Sequence, residues 1–461
     1  MMLSLAARNL LRNRRRSIST MQALGIGSVA VLQIGGYRAN IKYSMQTAYV
    51  RSGGHLQIQH KDFYLYGSGN PGAYGVSDHE FLIKAISSDP ILKTMVLVAT
   101  PTLQFGGVAG NYTAGVSRTV LATGLVAADV NRMRVWNEFE LPLSTRLLVL
   151  EGAPLDAAIV GVGVARVLQL CAALAIADCP KPEAESSGGG DPLPADIAAL
   201  ANDEKPQQGG RSKATIELLA NKTGGAPNVA ALNVLQAEGQ GFKELDEVAV
   251  IVHYRQAQQL VFGRSPPKAS ALMVQLRRGD QMPAATQRLE ALLAELVPNQ
   301  RLAVLDFEML NPFYVQTLQL FDAIFGFIFL LIGAIVLFTV SNTMNTAVIE
   351  RTTEIGTLRA VGLRRAGIRR MFVSEGLMLG SVGALGGAVI ALVIAGVVNH
   401  LNLTWLPPGS SEPLPLILRV WSEKRMLAGT TFGLILIAAL SAWLPAYRAA
   451  NLRVVDALRH T

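Results

Sequence analysis

Two long stretches without a charged residue, 323–349 and 376–399, flank a short basic segment. Each stretch is long enough to cross a lipid bilayer as a helix. The segment between them, residues 350–375, carries six Arg against three Glu. Because positively charged loops between membrane spans stay on the cytoplasmic side, the sequence predicts two membrane helices joined by a short cytoplasmic connection.

We call this connection, residues 350–375, the elbow. Glu350, Glu354 and Leu358 recur in it at helical spacing, Gly362 interrupts the pattern, and a second helical pattern runs from Arg364 into the next span. The alternative is a basic loop that only fixes orientation and binds lipid headgroups. Positive charge alone does not require the Glu-x-x-x-Glu-Ile-Gly spacing, so we predict a docking elbow for a partner.

The ends of the chain predict two further spans. Residues 1–16 mix leucines with arginines and are typical of an amphipathic helix on the inner membrane surface. Residues 17–37 then form the first span. A secretory signal peptide is the rival interpretation, but the run is longer than a usual signal core and no small-residue cleavage site follows it. Residues 400–425 predict a short external loop, 426–447 the fourth span and 448–461 an internal tail.

Residues 38–322 predict a large external domain of mixed helices and strands. Stretch 94–117 is uncharged, but its prolines and glycines favour strands and turns over a span. Residues 180–208 are rich in Pro, Gly and Ser and predict a flexible insertion, with a partner-binding loop as the alternative. The remaining patterns predict strands at 54–60, 248–254 and 271–276, a strand, glycine turn and helix over 157–170, and helices at 254–260 and 282–296.

The sequence contains little that would support catalysis or cofactor binding. Gly161-x-Gly163 lacks the third glycine of a dinucleotide fingerprint, and no P-loop pattern occurs. The six histidines are scattered without metal-ligand spacing, so we predict no metal site, no cofactor bound by this chain and no enzyme. The formal net charge of +8 is concentrated beside the spans, which argues against nucleic acid as a partner.

Two small features concern packing and covalent linkage. Gly376 with Gly380, and Gly383 with Gly387, are spaced four residues apart and predict close helix contacts, within a bundle or between two copies. Cys171 and Cys179 would lie about 12 Å apart on one helix, too far for a disulfide. They pair only if the helix ends between them; an oxidising compartment favours pairing over two free thiols.

The elbow is also where a family resemblance appears. Glu350-Arg351, Glu354-Ile355-Gly356, Arg359-Ala360 and Gly362 resemble the signature of the ABC-transporter permeases that include MacB, LolC, LolE and FtsX. The segments 5–12, 445–450 and 456–459 are similar to the family's two ends, and 157–170 matches its external domain more loosely. The resemblance implies that the elbow contacts a cytoplasmic ATPase, with Gly362 as the turn and Arg364–Arg370 as the coupling helix. The implied coupling residues are Glu350, Arg351, Glu354, Ile355, Gly356, Arg359, Gly362, Arg364, Arg365, Ile368 and Arg369.

The resemblance further implies a fold and a function. The fold is a bacterial inner-membrane protein with four transmembrane α-helices and a large α+β periplasmic domain inserted between helices 1 and 2. The function is a permease subunit that acts with two copies of an ATPase holding ATP and Mg²⁺, a second permease copy or a related permease, and a periplasmic or outer-membrane partner. Its substrate would be a lipoprotein, lipid or amphipathic compound. The alternative is an FtsX-like signal transmitter that regulates a periplasmic enzyme; the large external domain favours the transporter.

Overall fold

The protein is represented by a computed structural model that describes residues 8–9, 12, 14–67, 70–143, 145–176, 214–223, 225–241, 243–406 and 414–452. The chain separates into two compact units. The helical unit contains the N-terminal segment up to Met45, Pro312–Trp405 and the chain from Leu414 onward, and the α/β unit is Gln46–Asn311. The predicted insertion at 180–208 lies outside the described residues.

The described elements are numbered in chain order. The helices are α1 (Arg14–Gly53), α2 (Phe63–Tyr66), α3 (His79–Ser88), α4 (Leu92–Met95), α5 (Ala127–Arg134), α6 (Val162–Val167), α7 (Cys171–Leu174), α8 (Lys243–Asp246), α9 (Tyr254–Val261), α10 (Met282–Leu296), α11 (Phe307–Leu310), α12 (Pro312–Glu350), α13 (Thr352–Ala360), α14 (Arg365–His400), α15 (Lys424–Ser441) and α16 (Trp443–Asn451). The strands are β1 (Leu56–His60), β2 (Val96–Asn111), β3 (Val116–Leu125), β4 (Ala157–Gly161), β5 (Thr215–Asn221), β6 (Pro227–Glu238), β7 (Ala249–His253), β8 (Ala271–Leu276), β9 (Leu302–Asp306), β10 (Thr404–Trp405) and β11 (Leu414–Pro415).

Four helical segments are long and apolar enough to cross a membrane: α1, α12, α14, and α15 together with α16. The four predicted spans lie inside them, and the α/β unit is inserted between the first and the second. The predicted fold class is therefore confirmed. The predicted domain borders at 38 and 322 fall within α1 and α12, because helical geometry continues beyond the uncharged stretch that marks a span.

One helix prediction needs correction, and one span has an internal turn. The fourth span, predicted over 426–447, lies within Lys424–Asn451, where a single turn residue, Ala442, separates α15 from α16. Pro445 explains this turn, because proline has no N–H to donate to the carbonyl of Ser441 and its ring clashes there. Glu350 and Glu354 were predicted on one helix, but α12 ends at Glu350 and α13 starts at Thr352.

The helical unit buries a core contributed by all four spans. Leu24 of α1, Val340 and Met344 of α12, Phe372 of α14 and Leu434 of α15 are each nearly or fully buried in one cluster. Each helix therefore contributes an inward apolar face. Many other apolar side chains on these helices, including Phe327 and Phe338 of α12, are exposed, as expected for helices that face lipid.

The α/β unit contains a nine-stranded sheet. Its pairings run β2–β5–β6–β4–β7–β3 and return to β2, and β8, β1 and β9 extend from the first half of β2. The pairs β3–β7 and β4–β6 are parallel and the others antiparallel. Because β2 is long, it pairs with β8 through residues 96–102 and with β5 through residues 107–110.

The glycine turn predicted near residue 161 has a packing role. A Cβ on Gly161 would come within 2.2 Å of the backbone oxygen of Asp246, and a Cβ on Gly163 within 2.8 Å of the Glu247 Cα atom. Neither position has room for a side chain, because the backbone around α8 lies directly against the turn. The two glycines are thus required by close backbone approach, which agrees with rejecting a nucleotide site.

Candidate functional site

The elbow consists of one short helix, a tight turn and the start of a long helix. After α13 the amide of Gly362 donates to the Arg359 carbonyl at 3.1 Å and the amide of Leu363 donates to the Leu358 carbonyl at 3.0 Å. This is the Schellman arrangement, which requires a residue with positive φ at its turn. Gly362 has φ +102°. Arg364 occupies the position directly before α14. Residues 365–370, predicted as a coupling helix, are therefore the first turns of the third membrane helix. The separate helix of the elbow is α13.

The N-terminal segment is bonded to the elbow by two exposed ion pairs. Arg16 donates to both carboxylate oxygens of Glu350 at 2.8 Å, and Arg12 donates to Glu354 at 2.6 Å. These contacts join residues 334 and 342 positions apart. Exposed pairs of this kind contribute little stability singly, but together they fix the N-terminal segment beside α13.

A buried ion pair joins the two helices that the elbow connects. Arg351, in the break between α12 and α13, donates to Glu375 of α14 at 3.1 Å, and the two side chains are 6% and 2% exposed. Asn9 completes the group: its amide donates to Glu375 at 2.7 Å, and its backbone carbonyl accepts from Arg351 at 3.2 Å. The break at Arg351 turns this guanidinium inward, so the start of α13 cannot shift without separating a buried charge pair.

The C-terminal end of the described chain contacts the other side of the elbow. Arg359 donates to the carbonyl of Leu452 at 2.5 Å. The guanidinium of Arg369 lies 5.6 Å from the ring centre of Trp443, within the range of a cation–π contact. The elbow is therefore held by both ends of the chain.

The predicted coupling residues fall into two groups. Arg351, Ile355, Gly356 and Ile368 are buried and Arg359 and Arg369 are partly buried, so they position the elbow. Glu350, Glu354, Gly362, Arg364 and Arg365 are exposed. The most exposed side chain of the turn is Val361, at 84%. Val361 was not among the predicted coupling residues. The signal in the sequence was an apolar residue directly before Gly362, the glycine that ends the helix.

We call the exposed surface around the turn the tip; it contains Leu358, Val361, Arg364 and Arg365. Two of these side chains are apolar and two are cationic. An apolar side chain at 84% exposure beside arginine guanidiniums is typical of a protein-docking surface. The tip contains no group that would perform chemistry, so its capacity is to bind.

The four glycines predicted for helix packing contact two different helices of the same chain. A Cβ on Gly376 or Gly380 would lie 2.4 or 2.7 Å from the Cβ of Ala442 or Ala438. A Cβ on Gly383 or Gly387 would lie 2.6 Å from the Leu24 Cβ or 2.4 Å from the Gly25 carbonyl oxygen. The two pairs therefore allow α14 to pack closely against α15 on one side and α1 on the other.

Two further predictions concern a metal site, which was not expected, and a disulfide between Cys171 and Cys179. Within the described part of the chain, no group of three or more His, Cys, Asp or Glu side chains is arranged to hold a metal ion. Cys171 begins α7, whereas Cys179 lies outside the described residues. Pairing of the two cysteines stays a prediction.

The family comparison matches the helical unit. Residues 323–454 match the family described as FtsX-like permease C-terminal. The match begins at the predicted second span and includes the elbow, the third span and α15 with α16.

Three curated relatives match between 31% and 46% of the chain. An ABC transporter permease of Methanocaldococcus jannaschii is 25% identical over 46% of this chain and 51% of its own length. The lipoprotein-releasing system transmembrane protein LolC of Haemophilus influenzae is 29% identical over 36% of this chain and 41% of its own. The macrolide export protein MacB of Escherichia coli K12 is 36% identical over 31% of this chain and 20% of its own. The chain thus spans about half or less of each of these relatives.

Two solved structures resemble the chain weakly. They are the extracellular domain of the ABC-type transporter YknZ from Gram-positive bacteria, at 14% identity over 54% of this chain and 99% of that one, and the periplasmic region of MacB from Actinobacillus actinomycetemcomitans, at 11% over 57% and 94%. Both have a TM-score of 0.29, and we base no conclusion on them. Residues 323–454 are therefore similar to the FtsX-like permease C-terminal family, and parts of the chain are similar to permeases of ABC transporters.

Proposed function

We propose that this chain is the permease subunit of an ABC transporter and that the tip of its elbow docks on a separate cytoplasmic ATPase. The observation that carries the proposal is the pairing of an exposed apolar and cationic tip with a buried frame. Val361 is 84% exposed, whereas the side chains of Arg351 and Glu375, which join the flanking helices, are 6% and 2% exposed. To transmit a displacement from a partner, the elbow needs an exposed surface that the partner contacts and a buried connection to the membrane helices.

The buried pair of Arg351 and Glu375 connects the tip to the membrane helices, and we propose that force passes through it. Arg351 follows the last residue of α12, and Glu375 lies on α14. A displacement of α13 therefore acts on both helices at once, because separating the buried pair costs several kcal/mol. We propose that nucleotide-driven closure of two ATPase copies moves the tips of two permeases and thereby rearranges their α/β units.

ATP chemistry is assigned to the partner. No Gly-x-x-x-x-Gly-Lys-Ser/Thr sequence occurs in this chain, and that pattern is what cradles nucleotide phosphates and Mg²⁺. We therefore propose that ATP and Mg²⁺ bind the ATPase subunit. Within this chain, the contribution to transport is mechanical, and the elbow transmits it.

Two observations support a proposal for the substrate class: the names of the relatives and the composition of the spans. Relatives of this chain are named for lipoprotein release, macrolide export and pyoverdine export. A path for ions through the bilayer is usually marked by charged groups inside the spans, and the stretches 323–349 and 376–399 contain no Asp, Glu, Lys or Arg. We propose extraction or export of a lipoprotein, lipid or other amphipathic substrate from the external side of a bacterial inner membrane.

The test uses the full chain, extracted gently from its native membrane with whatever remains bound. We expect an ATPase to copurify in equal amount, and Arg364→Glu with Arg365→Glu to abolish this copurification. Arg425→Glu is the matched control, because it reverses an exposed charge of the same unit outside the elbow. An ATPase that still copurifies with the double variant, or fails to copurify with the unchanged chain, would refute docking at the tip.

The same preparation separates transport from regulation. Copurifying lipoproteins or an outer-membrane channel support the export function. A copurifying cell-wall enzyme would instead support a signal transmitter and refute the transport proposal, while leaving the docking proposal intact.

A further inference from the structure

A cleft of about 490 Å³ opens in the α/β unit. It lies where the parallel strands β3 and β7 end at Leu125 and His253, and the chain then enters α5 and α9. In open parallel α/β sheets, ligands bind outside the carboxyl ends of the strands, and the parallel pair β3–β7 has such an end here. The cleft volume is within the range of small-molecule sites.

One wall of the cleft contains a buried histidine with an unsatisfied nitrogen. His79 is 4% exposed, and its Nε2 is hydrogen-bonded with the Tyr254 hydroxyl at 3.1 Å. Its Nδ1 is buried without a hydrogen-bond partner, as is Nε2 of His253. An unsatisfied buried polar atom costs about 1–3 kcal/mol. Both nitrogens belong to residues that line the cleft, and a polar group bound there would supply the missing partner.

The electrostatics of the cleft favour an anion. No side chain caps α9, and its first turn has no acidic residue, so the partial positive charge of this helix end is uncompensated. Lys84 and Arg255 line the cleft and are exposed at its rim. Glu80 is the one carboxylate among the described lining residues. The balance of charge is therefore positive.

The rest of the lining is apolar and contains Ile83, Pro101, Leu125, Val126 and Leu155. A purely ionic ligand such as phosphate would leave this wall in contact with water. A ligand with a charged head and an apolar chain would satisfy both parts of the cleft, because burial of its chain gains about 0.8 kcal/mol per methylene group.

We propose that the cleft binds an amphipathic carboxylate, with the head between His79, Arg255 and the start of α9, and the chain along Leu125 and Leu155. This site is independent of ATPase docking, because every residue in it belongs to the α/β unit. It would give the domain a recognition site for the head of an acyl-type ligand.

The test measures binding of radiolabelled hexanoate to the full chain in lipid nanodiscs by equilibrium dialysis, with empty nanodiscs subtracted. We expect saturable binding of one hexanoate per chain. Hexanamide, which has the same chain without the charge, should bind at least tenfold more weakly. Inorganic phosphate should compete at least tenfold more weakly than hexanoate itself.

The variants Lys84→Gln and Arg255→Gln are combined, because both residues are exposed and their replacement leaves the core unchanged. We expect the pair to weaken hexanoate binding about tenfold. Arg264→Gln, beyond the other end of α9 and also exposed, should leave binding unchanged.

Four outcomes would overturn the proposal: no saturable binding, equal affinity for hexanamide, competition by phosphate at the affinity of hexanoate, or an equal loss in the Arg264→Gln control. A shift of the His79 ring nitrogen resonances on adding hexanoate would support it. A tightly bound ligand that leaves those resonances unmoved would also overturn the assignment of the head position.

Discussion

Two buried polar groups, the Arg351–Glu375 pair of the helical unit and His55 of the α/β unit, are held by different kinds of partner. In the helical unit, Arg351 and Glu375 bond to each other and to Asn9, in contacts between side chains or chain ends that are far apart in sequence. In the α/β unit, the Nδ1 atom of His55 accepts from the backbone amide of Leu276 at 3.0 Å. A side-chain pair is lost with one substitution, whereas a strand amide is held in place by its neighbours. The elbow is therefore the more sensitive region, and it is also the proposed coupling region.

The largest effect is expected where the elbow would be left with an unpaired buried charge. Glu375→Ala should destabilise the helical unit by about 3–5 kcal/mol, because the Arg351 guanidinium stays buried without its partner. Thermal unfolding of the full chain in nanodiscs measures this. The double variant Arg351→Met with Glu375→Leu is the control and should be close to the unchanged protein. If the single and double variants lose the same stability, the pair is not the support of the elbow.

The α/β unit should respond to pH through His55. The side chain is fully buried, and burial lowers its pKa to about 4 from the usual 6.5. The unfolded chain therefore binds a proton between these values while the folded chain does not, so stability is complete above pH 6.5 and falls toward pH 4 by about 3 kcal/mol. Hydrogen exchange at the Leu276 amide reports this loss. His55→Gln should remove this part of the pH dependence, and an unchanged profile in that variant would contradict the assignment.

Close helix packing in the helical unit is tested by two neighbouring glycines. Gly387→Ala should destabilise by about 1–3 kcal/mol, because its methyl group would lie 2.4 Å from the Gly25 carbonyl oxygen. Gly386→Ala meets no atom within 4 Å and gains helix propensity. Thermal unfolding in nanodiscs should therefore separate the two adjacent substitutions in sign. Equal effects would mean that the close contact between α1 and α14 does not stabilise the bundle.

The turn of the elbow should show a smaller, local effect. Gly362→Ala keeps an open site, with no atom within 4 Å of the new methyl group, but φ is +102°. The backbone strain should cost about 1–2 kcal/mol. Hydrogen exchange at Leu363, whose amide closes the turn, should accelerate. Gly326→Ala, at an open position within α12, is the control and should leave that amide unaffected.

The smallest effect is expected for an exposed bond of the elbow. Arg12→Ala removes the ion pair with Glu354; the Arg12 and Glu354 side chains are 60% and 49% exposed. The substitution should lower the free energy of unfolding by less than about 1 kcal/mol. High salt should reduce the difference further. Thermal unfolding at low and high salt measures both. A loss as large as that of Glu375→Ala would mean that exposed and buried pairs support the elbow equally, which contradicts the comparison above.

Several elements were predictable because their cause is local. The uncharged stretches predicted the four spans. Met282–Leu296 was predicted within its observed limits, since its apolar spacing decides which face is buried. Gly362 was predicted to interrupt the helical pattern, and it does so with a positive φ that glycine adopts without strain. Each of these depends on the residues of one segment.

Other features depend on segments that the chain order keeps apart. Arg351 gave no sign that it is buried, because its partners Glu375 and Asn9 lie 24 and 342 positions away. From the sequence, the predicted coupling residues could not be divided into exposed and buried groups. The N-terminal and C-terminal segments decide which face of α13 is covered. Nor did His79 and Tyr254, 175 positions apart, indicate a shared cleft.

The sequence by itself determined which parts of this protein are membrane helices, where the elbow turns and which family its helical part resembles. Uninterrupted apolar length, charge placement and glycine geometry are properties of a segment, and they act before any tertiary contact forms. Only the tertiary structure decided which charges are buried, which helix each glycine touches and where a cleft opens. Burial and desolvation depend on what covers a residue, and in this chain the covering residues come from distant parts of the sequence.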